Sequence, residues 1–390
     1  MTPTLRLLIL LSRLELTGNQ QREALTICEG IDDWHDVARQ AQAQFVLPLV
    51  YRHLRRLDPP TLSTDVAVRM RDQCLIIVQQ SLHMTSEQLR LVRDLVEPLG
   101  VPCLFFKGPT LAARYYDDPA MRFCRDIDLL VPKRQCVPLL EEAFNQGYQA
   151  REPEALKADR TSLDFAVRTQ SVISLVSPRG VEFELHNQLD RSGRLYDIQT
   201  LIHASERLAM GGSQMSVMPT SELFVYICLH HTRHCWSHLH WLVDLDAIQR
   251  HPDFELTAAY ACAKRRGVTA TLDACLELYQ ALAASGPDEA IPLSANGQSL
   301  LDACLATLQG GQEVELAMRK SRPTPEFAFN WQTTPSYRLT SQLRQYRNHF
   351  LPKYPDYENW PLPPHWQWLY FLIRPFRILM ESIGSRSSAK

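Results

Sequence analysis

The sequence predicts an α+β protein, a small mixed-sheet core flanked by N-terminal and C-terminal helical regions. Three observations predict it. Apolar residues recur at helical spacing over the first 95 or so residues. Between 97 and 218 short apolar runs alternate with helical patterns around Gly and Pro turns, and from about 219 helical spacing returns. Four regions are expected: a helical region 1–96, an α/β core 97–218, a helical region 219–320, and a basic tail 321–390, rich in Pro and aromatics, with a terminal helix.

Taken in order, "LRLLILLSRLEL" has Arg6 and Arg13 bracketing a short apolar run with no small-residue cleavage site after it, which predicts an amphipathic first helix rather than a signal peptide. "DVARQAQAQFVLPLVYRHLRRL" and "MRDQCLIIVQQSLHMTSEQLRLVRDLV" continue the helices across a Pro59-Pro60 break. "LGVPCLFFKG" changes the pattern to a buried strand, after which Pro109 opens a helix that Pro119 stops. "DIDLLVP" reads as a strand and "VPLLEEAFNQGYQ" as a helix ending near Gly147. "SVISLVSPRGVEFELHNQL" reads as a hairpin turning at Pro178-Arg179-Gly180. Thr220 or Ser221 can cap the helical stretch that runs on to residue 251, and further helices are expected at 255–285 and 297–320.

The chain has 390 residues, 45% of them hydrophobic, and a formal charge of -2. That is enough apolar material for two or three globular domains, and it lacks the basic excess of a nucleic-acid binder. Ten cysteines lie scattered in apolar segments without a CxxC pair, which predicts buried thiols in a reducing, cytoplasmic setting. No run approaches the ~18 apolar residues of a transmembrane helix.

The chemistry concentrates in "DIDLLV". Strand periodicity puts Asp126 and Asp128 on one face and Ile127, Leu129 and Val131 on the other. Two ionised carboxylates side by side cost several kcal/mol without a neutralising partner, and oxygen donors of this kind suit Mg²⁺ or Mn²⁺. In "GVEFELHNQL" Glu182, Glu184 and His186 alternate with apolar residues, and Glu184 in mid-strand is the better placed third acid. The competing expectation is an edge strand whose polar face simply meets water. Upstream, Lys107-Gly108 lies between a strand and a helix start, the usual arrangement for receiving phosphate, and Arg122 is a second candidate phosphate clamp.

Together these stretches, "KG" before a helix, R-x-x-x-D-I-D-L-L-V from Arg122 and the later "EFELH" strand, resemble the bacterial nucleotidyltransferase family of the DNA polymerase β-like superfamily. This chain departs from the superfamily pattern in having Lys107-Gly108 where Gly-Ser is expected. The resemblance implies a nucleotidyltransferase core in which Asp126, Asp128 and Glu184 hold Mg²⁺ or Mn²⁺ and act in catalysis, while Lys107, Gly108, Thr110 and Arg122 bind the nucleotide. It implies an NTP as donor and a small molecule, peptide or protein as acceptor. The competing functions are a non-catalytic nucleotide-binding adaptor and a DxD glycosyltransferase; the latter would need a nucleotide-binding α/β unit upstream, where this chain reads as helical.

His230, His234 and His238 fall at i, i+4, i+8 with His231 and His240 nearby, a spacing that can bind zinc. The expectation is instead that His186, His231, His234 and Asp244 face substrate or make buried hydrogen bonds, and that Trp241 packs. In the tail, "HWQWLYFLIRPFRILM" sets aromatics beside Arg374 and Arg377; packing on the α/β core is expected, with peripheral membrane contact as the alternative.

Overall fold

A computed structural model describes residues 1–190, 195–286, 289–321 and 350–377, together with positions 339, 343 and 347. The rest of the tail lies outside the described residues. The chain divides into two compact units that interleave in sequence: Met1–His83, Leu111–Cys124 and Pro219–Arg338 form one, and Met84–Thr110, Arg125–Met218 and Leu339–Lys390 the other.

The first unit is helical. Helix α1 (Pro3–Leu11) is capped by Thr2, whose hydroxyl accepts from the Leu5 amide, and Leu7, Leu8, Leu10 and Leu11 have no exposed surface. It is apolar nearly all round rather than amphipathic, which makes it a core helix of this unit. Its one charge, Arg6, pairs with Glu23 at 2.6 Å and donates to the Leu282 and Ala284 carbonyls. Helices α2 (Gly18–Glu29), α3 (Trp34–Ala43) and α4 (Leu47–Leu57) follow; α2 starts in a capping box of Thr17 and Gln20 and α3 on Asp33. The long α5 (Thr64–Leu91) begins in this unit and from Met84 belongs to the other, where it continues through one π-helical turn, Val92–Val96, into α6 (Glu97–Leu99) and Gly100 stops it in a left-handed conformation.

The second unit carries a mixed seven-stranded sheet in the order β3-β4-β5-β2-β1-β7-β6. The strands are β1 (Leu104–Phe105), β2 (Asp126–Leu130), β3 (Gln149–Glu152), β4 (Val172–Val176), β5 (Glu182–His186), β6 (Glu206–Met210) and β7 (Ser213–Val217). Helix α7 (Gly108–Tyr115) follows β1; α8 (Lys133–Asn145), α9 (Arg160–Thr169) and α10 (Ile198–His203) connect later strands. Strand β2 lies in the interior of the sheet, antiparallel to β1 and parallel to β5. With Ile127, Leu129 and Leu130 buried and Asp128 only 2% exposed, the edge-strand explanation of the two carboxylates fails. The β4–β5 hairpin turns at Ser177–Val181, as the Pro-Arg-Gly sequence requires. The β6–β7 hairpin turns on Gly211-Gly212, both at positive φ, a two-glycine signal that marks a tight turn and extends the sheet beyond the strands expected from the sequence.

Back in the helical unit, α11 (Thr220–Thr232) is preceded by Pro219 at the cap position and has no side-chain cap; the Thr220 hydroxyl instead bonds Tyr115 Oη at 3.0 Å. The stretch expected to run on to residue 251 is broken. Cys235 and Trp236 take left-handed backbone conformations before α12 (Leu239–Arg250) begins. No Gly or Pro marks this break. Burial of Trp236 holds it, with the indole N–H donating to Thr232 Oγ1 at 3.2 Å, and Ser237 donates to Glu315 at 2.8 Å. His238 therefore does not share a helix face with His230 and His234, and the zinc spacing does not survive. Helices α13 (Leu256–Arg266), α14 (Thr269–Ala283) and α15 (Ala295–Ser321, kinked at Gly311) complete the unit. All ten cysteines are free thiols and nine are buried.

Candidate active site

The carboxylates meet because β2 and β5 run parallel in a register that opposes Asp126 to Glu182, Asp128 to Glu184 and Leu130 to His186. Side chains alternate on both strands, so the even-numbered residues of each share one face. Glu182 is spent on its own neighbours: it accepts from Ser174 Oγ at 2.5 Å and pairs with Arg151 at 2.9 Å. Glu184 is left for the cluster. Its Oε2 lies 3.1 Å from His186 Nε2, and the same nitrogen lies 3.1 Å from Asp128 Oδ1. Lys107 Nζ reaches Asp128 Oδ1 at 3.2 Å.

Gly108 fixes how closely the helix start approaches the acidic strand. Its φ of +59° is left-handed, and a β-carbon there would stand 2.9 Å from the Asp126 carbonyl oxygen, so only glycine fits on both counts. Thr110 is buried and its hydroxyl donates to the Lys107 carbonyl at 2.9 Å, bracing the turn.

The electrostatics are unbalanced. Burial, then the neighbouring Asp128 charge, pushes the Asp126 carboxyl up to about 6. Burial also acts to raise Asp128, but the Lys107 ammonium and the His186 hydrogen bond outweigh it and hold that carboxyl well below its usual range. Burial disfavours charge on His186, yet its bonds to Asp128 and Glu184 win and raise it. Asp128 Oδ2 is buried and accepts no hydrogen bond from any described residue. A buried, ionised oxygen with no donor, on a face shared by three carboxylates, fits a cation. The ligand atoms of Asp128, Glu184 and His186 lie within 4.8 Å of one another, a donor set of two hard oxygens and an imidazole suited to a divalent metal. His186 thus belongs to the cluster itself, a membership that its place in the "EFELH" alternation already signalled.

The remaining predicted site residues belong to the helical unit. Arg122 is in the helical unit, buried, with Nε 2.7 Å and Nη2 2.9 Å from the carboxylate of Asp244. Tyr116 adds its hydroxyl to Asp244 Oδ1 at 2.7 Å. Arg122 is therefore committed to a buried bidentate ion pair, and Asp244, 1% exposed, is its counterion. His231 is buried and stacked on Trp241 with ring centroids 4.2 Å apart, and Trp241 stacks in turn on His238. His234 bonds Glu315 at 3.0 Å.

The sheet thus carries paired aspartates in register with a third acid, beside a helix that starts on glycine. The family described as an uncharacterised nucleotidyltransferase matches residues 31–284, and the chain belongs to it. No curated protein of known function matches the sequence.

Proposed function

We propose that the protein is a divalent-metal-dependent nucleotidyltransferase that moves a nucleoside monophosphate from an NTP to an acceptor and releases pyrophosphate. The observation that carries this reading is the β2/β5 register, which puts Glu184 beside Asp128 and leaves Asp128 Oδ2 buried without a donor. Asp126, Asp128 and Glu184 would hold the metal, Mg²⁺ or Mn²⁺ by donor chemistry, with His186 orienting Asp128 and Glu184. When bound, such an ion supplies charge stabilisation for the attacking and leaving oxygens.

The residues of this chain do the rest. Lys107 and the first turn of α7 at Gly108 receive the triphosphate, the helix start presenting its amide groups and the glycine allowing close approach. An acceptor oxygen attacks the α-phosphorus, and the bond to the pyrophosphate oxygen breaks. The acceptor proton passes to a carboxylate, for which Glu184 is placed at the rim of the cluster, half-buried where Asp128 is fully buried. Within the helical unit the Arg122 guanidinium neutralises Asp244.

Calorimetric titration of each NTP with Mg²⁺ or Mn²⁺ tests the proposal. Wild-type protein binds one or more NTPs only when metal is present, and the Asp126→Ala, Asp128→Ala double variant does not. Absence of binding to every NTP by the wild type refutes the reading.

A further inference from the structure

The end of the described chain is built with its charges inward and its aromatics outward. Residues 354–359 form a short helix, 364–369 a 3-10 turn, and 370–377 are helical. Arg374 and Arg377 both turn onto the buried carboxylate of Asp356, at 3.0 and 3.1 Å. Tyr370 is fully buried, with its hydroxyl taking the Leu362 amide at 2.8 Å, and Gln367 bonds Arg168. Ser162 bonds Tyr354 at 2.5 Å, and Tyr357 stacks on Phe165. The segment is thus fastened by its polar groups and two tyrosines, and it packs on its own unit as the sequence suggests.

What it turns to solvent is apolar. Trp360, Trp366, Trp368, Phe371 and Leu372 each expose about half of their surface, and Phe376 exposes 71%. Among the described residues, every exposed Phe and Trp of the protein lies between 350 and 376. At roughly 100 Å² for a half-exposed large aromatic ring, these side chains present on the order of 500 Å², the upper end of what a monomer leaves in water. A water-facing helix would show the opposite arrangement. Three tryptophans and two phenylalanines in one short segment are also the composition that favours the boundary between headgroups and acyl chains. From Arg319 onward the sequence carries eleven Lys plus Arg against four Asp plus Glu; Arg374, Arg377 and Asp356 enclose one another, and Arg347 and Lys353 are exposed. That charge complements an anionic surface.

We infer that residues 360–376 form a peripheral membrane-binding face that inserts Trp366, Trp368 and Phe376 into the interface of an anionic bilayer. No helix of the described residues is long and apolar enough to cross a membrane, so this contact is one of lying on the surface.

The test is sedimentation of the full-length protein with vesicles of phosphatidylcholine alone and of phosphatidylcholine with phosphatidylglycerol. Wild type sediments with the anionic vesicles and at least tenfold more weakly with the zwitterionic ones. Trp366→Ser, Trp368→Ser, Phe376→Ser together weaken anionic binding at least tenfold; because all three side chains are exposed, the thermal unfolding midpoint stays unchanged. Failure of the wild type to sediment with either composition overturns the inference. So does undiminished binding by the triple variant, which would assign the effect to charge alone. A dimer seen by light scattering, abolished by the triple substitution and unaccompanied by vesicle binding, would make the face an interface between copies and overturn it as well.

Discussion

The chain contains the same tripeptide pattern twice, Asp126-Ile127-Asp128 on a strand and Asp244-Leu245-Asp246 on a helix, and the two have opposite electrostatics. On strand β2 residues two apart share a face, so the carboxylates add, and Glu184 adds to them from β5. On helix α12 residues two apart point to different sides, about 200° around the axis, so each acid finds its own partners. Asp244 is closed by Arg122 and Tyr116; Asp246 is closed by Arg250 at 3.1 Å, Arg13 at 3.8 Å and the Leu14 amide at 2.8 Å. Both helix aspartates and Asp128 are almost fully buried. Burial therefore does not separate a structural acid from a functional one. The balance of charge differs: the helix pair is compensated by protein, whereas the strand pair leaves Asp128 Oδ2 without a donor among the described residues.

Removing an acid should expose this contrast most sharply. Asp244→Ala leaves the Arg122 guanidinium buried without its counterion and should destabilise the protein by ~3–5 kcal/mol, read from urea unfolding. Asp126→Ala removes the carboxylate whose charge the folded cluster disfavours, so it should cost far less stability and instead lower nucleotidyl transfer by ~10²–10³-fold. A stability loss in Asp126→Ala equal to that in Asp244→Ala would make the two clusters equivalent and remove the distinction.

Divalent ions probe the same difference without changing folding contacts. Mn²⁺ at a hundredfold excess over its Kd should stabilise the native state by about 2.7 kcal/mol, raising the unfolding midpoint of the wild type and not that of Asp126→Ala, Asp128→Ala. The backbone gives a further test, since the strand pair depends on Gly108 whereas the helix pair needs no glycine nearby. Gly108→Ala should cost ~1–3 kcal/mol through its positive φ and its contact with the Asp126 carbonyl, and should weaken NTP binding in calorimetry.

The smallest effect concerns pH. With metal removed by chelator, Asp126 has its carboxyl raised to about 6 in the folded state against an ordinary value near 3.8. Between those limits the folded chain holds more protons than the unfolded one, so this group's contribution is fully present below ~3.8 and is lost as pH rises through ~6. Stability should decline over that window by ~1–2 kcal/mol, once part of the shift is discounted for relaxation of the cluster, and Asp126→Asn should flatten the decline. Unfolding free energies measured from pH 4 to 7 in both proteins check this.

Much of the site was legible because it rests on local rules. Asp126 and Asp128 had to share a face if the run was a strand, Pro109 marked the next helix start just after Gly108, and Glu184 stood out from Glu182 by its place in mid-strand. Arg122 misled because sequence places it four residues before Asp126, whereas its buried partner lies 122 residues downstream. His238 misled because the break at Cys235 and Trp236 carries neither Gly nor Pro; it is held by a buried indole and by Glu315.

The sequence by itself determined the α+β class, the Pro178–Gly180 turn and the shared face of the paired aspartates, because each depends on a period or a backbone preference within a few residues. Only the tertiary structure decided that β2 is an interior strand, that its register sets Glu184 and His186 beside Asp128, that Arg122 belongs to Asp244, and that Arg374 and Arg377 turn inward to Asp356 while the tail's aromatics face out. These are pairings between residues far apart in the chain. Strand register and charge compensation are settled by which buried groups can satisfy one another once the elements pack, and local sequence carries no record of that choice.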